Sequence, residues 1–209
     1  MKRLIILFCL LVSLAGCNNN NDNKSSQPKD TVEKSASVTP NLNTQDSVKA
    51  VGRQILQFLK DKNYKELSKF FSVNGVLFSP YGYTDTATAK KIMPEDFLVA
   101  IDKKWILTWG NYDGTGEPIK LSVTGYLDKF VYNADYLSAE AVGFNEVIKQ
   151  GNSTNNLKTV YPNSQFLDYH FSGFDQKLNG MDWSSLRLVF EKQNNDYFLV
   201  AIIHDQWTI

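Results

Sequence analysis

The order of apolar and polar positions divides the chain into a short apolar head, a polar stretch and a long patterned region. The patterned region begins near Thr44 to Ser47, where Ser47 or Thr44 can cap a helix. Val48, Val51, Ile55, Phe58 and Leu59 then recur at the 3, 4, 3, 1 spacing of an amphipathic helix. A shorter helix is predicted from Tyr64 to Phe71 with Leu67, Phe70 and Phe71 inward, so the two form an αα-hairpin. GVLF (75–78) reads as a strand, and in the SPYGY that follows, Pro80 and Gly82 force a turn that presents Tyr81 and Tyr83. TDTATAKKIM (84–93) reads as irregular. Pro94, Glu95 and Asp96 open a third helix that runs to about Asp102, with proline at its first position and the acids complementing its N-terminal dipole.

Lys104 to Trp109 alternates as a strand and leads into GNYDGTGEPI (110–119), read as a loop because it holds three glycines, a proline and two acids. Residues 119–126 begin extended, whereas 124–132 fit either a short helix or a bent strand, and 134–149 fit either a strand or a helix. Phe166 to Phe174 alternates as a strand. The most organised stretch is Leu186 to Ile209, in which two runs rich in β-branched and aromatic residues flank Gln193, Asn194, Asn195 and Asp196, a hairpin signal. So apolar a pair belongs at the centre of a sheet, its second strand long enough to pair with more than one neighbour. Strand alternation places His204 with Val200, Ile202 and Gln206 on one face, and Asp205 with Trp207 on the other. Early helices, late strands and connections too short for repeated βαβ crossovers predict an α+β domain. It has two to three N-terminal helices packed on a curved, mainly antiparallel sheet of four to six strands.

The head MKRLIILFCLLVSLAG carries Lys2 and Arg3 before an apolar run from Leu4 to Leu14, too short for the ~20 residues of a bilayer span; it reads as a signal peptide over residues 1–16. Residues 17–44 contain no aromatic side chain and few large apolar ones, the composition of a disordered tether. At ~5–6 Å × √n it would hold the folded region, residues 45–209, roughly 25–30 Å from its attachment. Removing Lys2 and Arg3 leaves 20 basic against 22 acidic residues, a near-neutral balance without a basic stripe, so nothing favours nucleic acid. The only cysteine besides Cys17 is Cys9, inside the head, so the mature domain has no internal disulfide. With 13 Phe, 10 Tyr and 4 Trp in the whole chain, all but Phe8 in the domain, the domain calls for a large core or an aromatic-lined cavity.

Candidate chemistry is sparse. Asn111, Asp113 and Gly114 suggest a calcium loop, but the first ligand position would be Trp109 and the twelfth Lys120, and no helix or lysine follows to make a phosphate cradle. The loop is a tight turn, or the rim of a pocket with Asp113 or Glu117 as its polar contact. His170 and His204, each on a strand, could reach one concave face and supply a general base if their strands are adjacent; the alternative is a hydrogen-bonded core histidine. Asp182 could accept from the backbone N–H groups of Ser184 and Ser185 or pair with Arg187; otherwise it is a pocket carboxylate. No metal or cofactor is implied, with two histidines and no thiol in the mature domain. Tyr81, Tyr83, Trp105, Trp109, Tyr112 and Trp183 are the aromatic candidates for a ligand site, with Asp113 beside them.

Three resemblances add to this reading. Leu14, Ala15, Gly16 and Cys17 resemble a bacterial lipobox, which implies cleavage before Cys17, a diacylglycerol on its thiol, and attachment to a membrane of the cell envelope with the domain periplasmic or surface-facing. The element order is similar to the nuclear transport factor 2-like, or cystatin-like, cone fold, which implies a pocket between helices and sheet. GVLFSPYGY, WGNYDGTGEPI, KFVYNADY, MDWSSLRLVFE and VAIIHDQWTI look like segments of uncharacterised bacterial envelope lipoproteins, a group with no established activity to carry over. The expectation is a tethered module binding a small molecule or an envelope protein. The alternatives are an isomerase or dehydratase using a pocket His/Asp pair, or a structural envelope protein with a filled core.

Overall fold

The computed structural model describes residues 43–208. The signal peptide, Cys17 and nearly all of the tether lie outside the described residues. Within them no helix is long and apolar enough to cross a membrane.

Helix α1 (Thr44–Lys60) is capped by Asn43, whose side chain accepts from the Asp46 N–H; neither Thr44 nor Ser47 does this. It buries Val48, Gly52, Ile55, Leu56 and Leu59. A Cβ on Gly52 would come within 2.5 Å of the Leu167 side chain and the Tyr169 hydroxyl, so the missing side chain lets the helix lie close on the sheet. Helix α2 (Tyr64–Ser68) ends three residues earlier than the apolar spacing predicts, because Phe71 already bridges to Leu199. Strand β1 (Val76–Ser79) follows. β2 (Lys90–Ile92) forms where an irregular segment is expected, and α3 (Pro94–Asp102) starts at its proline as predicted.

Strand β3 (Ile106–Asn111) begins two residues later than expected, since Lys104 takes a left-handed conformation and leaves Trp105 in the turn. It pairs with β4 (Pro118–Ser122), so the glycine-rich loop is a hairpin tip carried by a separate two-stranded ribbon. The undecided segment after it is helical: α4 (Val123–Tyr126) continues into a π-helical turn, Leu127–Val131. β5 (Ala141–Phe144), α5 (Leu157–Val160), β6 (Gln165–Phe171), β7 (Ser184–Gln193) and β8 (Asp196–Gln206) complete the order.

The six-stranded sheet runs β2-β1-β8-β7-β6-β5. All its pairings are antiparallel except β1 with β8, so the sheet is mixed and the last strand sits between β1 and β7 as a central strand. The terminal hairpin turns through Asn194 and Asn195, Asn194 at φ 56°. One face of the sheet packs on α1, α3, α4 and the ribbon through Phe78, Phe97, Trp109, Tyr126, Leu186, Leu188 and Ile202. The other face carries Leu77, Phe166, Val189, Ala201 and Ile203 under the irregular segments around residues 80–89 and 145–161. Thr84 and Asn156 tie those two covers together: the Thr84 N–H donates to Asn156 Oδ1, and Asn156 Nδ2 donates to the Thr84 carbonyl.

On that second face, three adjacent strands each bury a charged group. Arg187 on β7 donates from Nε to Asp168 Oδ2 on β6 at 3.1 Å and from Nη2 to Asp205 Oδ2 on β8 at 2.8 Å, and all three side chains are at most 1% exposed. Arg187 Nη2 also donates to the Lys149 carbonyl, and Asp168 Oδ2 accepts the Ile148 N–H, which fastens the segment after β5 to the sheet. Gly82 completes the enclosure, since a Cβ there would lie 2.5 Å from Asp205 Oδ2. Burial pushes the Asp205 carboxyl above the usual range while Arg187 pulls it back. Removing the cation strands two buried carboxylates, so Arg187→Met is expected to lower the unfolding free energy by about 3–5 kcal/mol in urea titrations. Adding Asp205→Asn should recover part of that loss; an Arg187→Met protein as stable as the parent would show that the triplet does not hold the sheet.

Candidate functional site

A β-bulge decides what the terminal strand can present. Phe190 pairs with Leu199 and Val189 with Ala201, so Val200 is an extra residue on β8. It packs with Ile203 on the far face, not with His204 as unbroken alternation predicts. His204 and Ile202 keep the predicted shared side, against the helices.

The two histidines do not meet. β7 separates their strands, and register sets His170 opposite Ser185, itself opposite Asp205, whereas His204 is opposite Leu186 and hence on the face of Tyr169. His170 therefore lies on the face of Arg187, its Nδ1 2.9 Å from Ser185 Oγ and its ring 5.9 Å from the Trp183 ring. His204 lies beneath Phe130, centroids 5.8 Å apart. The Pro80 carbonyl accepts from its Nδ1 at 3.1 Å, which leaves Nε2 to accept from Ser184 Oγ at 3.2 Å. Burial pushes its pKa down to about 4, with the Pro80 hydrogen bond opposing. The result is a neutral, enclosed imidazole joined through Ser184 to the Tyr136 hydroxyl at 2.7 Å.

Asp182 takes the structural role, but with other partners than the sequence suggests: its Oδ2 accepts the N–H groups of Phe174 and Asp175 and closes the β6–β7 loop. Arg187 is committed to Asp168 and Asp205. The aromatic candidates disperse as well. Trp109 is fully buried, stacked on Tyr126 at 4.0 Å and 13°, with Phe78 edge-on at 5.5 Å. Tyr81 packs edge-on to Phe130, its hydroxyl accepting the Asp113 N–H. Tyr112 lies beneath the Lys129 ammonium at 4.5 Å. Tyr81, Tyr83 and Trp109 do border one recess, of about 190 Å³. Trp105 is exposed at the foot of the ribbon, and Trp183 is buried on the opposite side of the sheet. Glu117 sits at the exposed hairpin tip. Among the described residues no group of three or more His, Cys, Asp and Glu side chains is placed to hold a metal ion.

What the fold does assemble is a cleft of about 270 Å³ between α1, the 3₁₀ turn Tyr136–Ser138 and strands β5 and β6. Leu56, Leu137 and Val142 give it apolar walls, Tyr136 and Tyr169 give it two phenols, and Lys49 and Arg53 bring two cations from α1. Tyr136 donates to Asn133 Oδ1 and lies 2.7 Å from Ser184 Oγ, and burial pushes its pKa to about 12. Burial also raises the Tyr169 phenol, against the pull of the Arg53 charge. None of these seven residues is among the sequence candidates. The usable signal was Lys49 and Arg53, two like charges one turn apart flanking Gly52, the one glycine in α1. A groove of about 610 Å³ on the other face is bordered by Lys91 and Glu191 and gathers no charge of one sign.

No family model and no curated protein matches the chain. Among solved structures it is similar to a designed NTF2-like protein, a variant of Rd1NTF2_05, at 13% identity over 77% of this chain and 97% of that one, with a TM-score of 0.32. A superposition that loose carries no argument about family or function.

The buried imidazole has a measurable consequence. Its folded pKa near 4 lies below the unfolded value of about 6.5, so the unfolded chain binds the proton first. Stability is therefore complete above pH 6.5 and falls as pH drops towards 4, by about 3 kcal/mol in total. His170, also depressed by burial, adds in the same direction. Urea midpoints between pH 7 and 4 should show this slope flattened in His204→Gln; an unchanged slope would mean that His204 is charged in the folded protein.

Proposed function

We propose that this protein is a lipid-anchored envelope lipoprotein whose domain, an NTF2-like cone, binds a small ligand in the α1/β5–β6 cleft. The observation that carries the binding reading is the cleft itself: about 270 Å³, walled by Leu56, Leu137 and Val142, with polar groups converging from one helix and one strand. That volume lies just below the ~300 Å³ at which ligand pockets commonly begin, so the ligand is smaller than a typical drug molecule. The lipobox pattern from Leu14 to Cys17 supports the anchor, and the early helices laid on a sheet whose final strand is central support the cone.

Binding is favoured over catalysis because the candidate acid–base groups are committed elsewhere. His204 reaches the cleft only through Ser184 and Tyr136, His170 is on the opposite face, and Asp182 caps a loop. A filled core is the state of the region between ribbon and sheet, where Trp109, Tyr126 and Phe130 stack, but it does not extend to the cleft.

The test uses n-octanol as a neutral probe, followed by methyl NMR of the mature protein. Shifts at Leu56, Leu137 and Val142 that saturate, and that vanish in Val142→Trp, are the expected result. Val142 is 43% exposed on an edge strand, so its replacement fills the cleft without opening the core. Saturating shifts confined to other residues would remove the cleft as the binding site.

A further inference from the structure

We propose that the cleft selects an amphipathic anion, with Lys49 and Arg53 taking an oxyanion head and Leu56, Leu137 and Val142 enclosing a short apolar stem. This rests on the reading of the cleft as a ligand site and adds the chemical class of the ligand. Lys49 and Arg53 are four residues apart on α1, so they sit on one helical face and repel each other. Among the described residues neither forms an ion pair; Asp46 in the first turn and Glu140 before β5 pair with neither, and Glu140 instead accepts the Ser172 N–H. At the C-terminal end of α1 the basic groups do have acids supplied: Lys60 holds Asp135 at 2.8 Å and Lys62 holds Asp128 at 2.8 Å. Two cations left without acids at the border of an apolar cleft are the complement of an anion.

A second observation points the same way. The Tyr169 side chain is on the cleft wall, in a residue only 6% exposed, and its hydroxyl makes no hydrogen bond to any described residue. Gly52 lets the phenol lie close against α1, where a Cβ would come 2.5 Å from the hydroxyl oxygen. Arg53 is close enough for its charge to act on this phenol. A phenol O–H that shares a cleft with a guanidinium donates to an oxyanion there, and it has no acceptor among the described residues to give up. The neutral walls admit an alkyl or aryl stem but offer no carboxylate to recognise an amine.

The experiment compares octanoate, octyl phosphate, n-octanol and octylamine, which share a stem and differ in head. At low salt at least one of the two anions is expected to bind about tenfold more tightly than octanol, the combined effect of two partly exposed ion pairs. The preference should collapse near 1 M salt, where the Debye length shrinks to ~3 Å. Lys49→Gln with Arg53→Gln should bring the anions to the affinity that the same variant shows for octanol, and Tyr169→Phe should weaken the anions more than octanol. Which anion leads distinguishes a carboxylate head from a phosphate head. Equal binding of octanol and both anions, a preference for octylamine, or an anion preference that survives the double substitution would overturn the inference and leave the cleft as a binding site. Failure of all four to bind would overturn the binding reading as well.

Discussion

The fold turns on one guanidinium. Arg187 sits at the middle of β7 and holds a carboxylate from each neighbouring strand, and the three groups are out of solvent. Buried ions are a poor way to gain stability, and here Asp168 Oδ1, Asp205 Oδ1 and Arg187 Nη1 have no hydrogen-bond partner among the described residues. Their effect is on register. Slipping either neighbouring strand by one residue would turn its carboxylate into the aromatic face and leave Arg187 unpaired. The same network takes in the Ile148 N–H, the Lys149 carbonyl and the close approach of Gly82, so the irregular covers of the far face are positioned by the register they help to protect.

With the charges confined to one face, the other is free to be aromatic. Phe78, Trp109, Tyr126 and Phe130 form a column of edge-on and stacked rings that reaches His204. This column is supplied largely by the β3–β4 ribbon and the α4/π-turn segment, which fill the space between helices and sheet from one end. Space remains at the other end, where α1 meets β5 and β6 and the phenols of Tyr136 and Tyr169 are joined by Leu56, Leu137, Val142 and the cations of α1. The filling of one end and the opening of the other are two results of one placement.

Much of the architecture is legible in local pattern. The spacing in α1, the proline that opens α3, the Asn-Asn turn between β7 and β8 and the alternation of β6 each predict an element close to where it stands. The misses have specific causes. β2 is three residues long, with Lys90 and Lys91 at the sheet edge, and is extended because β1 pairs with it; its own composition carries little strand signal. Trp105 falls outside β3 because Lys104 is left-handed. Val200 changes sides because Leu199 and Ala201 pair with consecutive residues of β7, a mismatch invisible in the sequence of β8 alone.

The sequence by itself determined which side of each element is apolar, where turns interrupt, and that His204 and Asp205 point apart. These follow from the 3.6- and 2-residue periods of the backbone, which are local properties. Only the tertiary structure decided that His170 and His204 lie on opposite faces, that Asp182 closes a loop, and that Lys49 and Arg53 share a cleft with Tyr169 more than a hundred residues away. Those outcomes depend on strand order, register and helix placement. Periodicity states that a face needs a partner; packing across the whole domain selects which one.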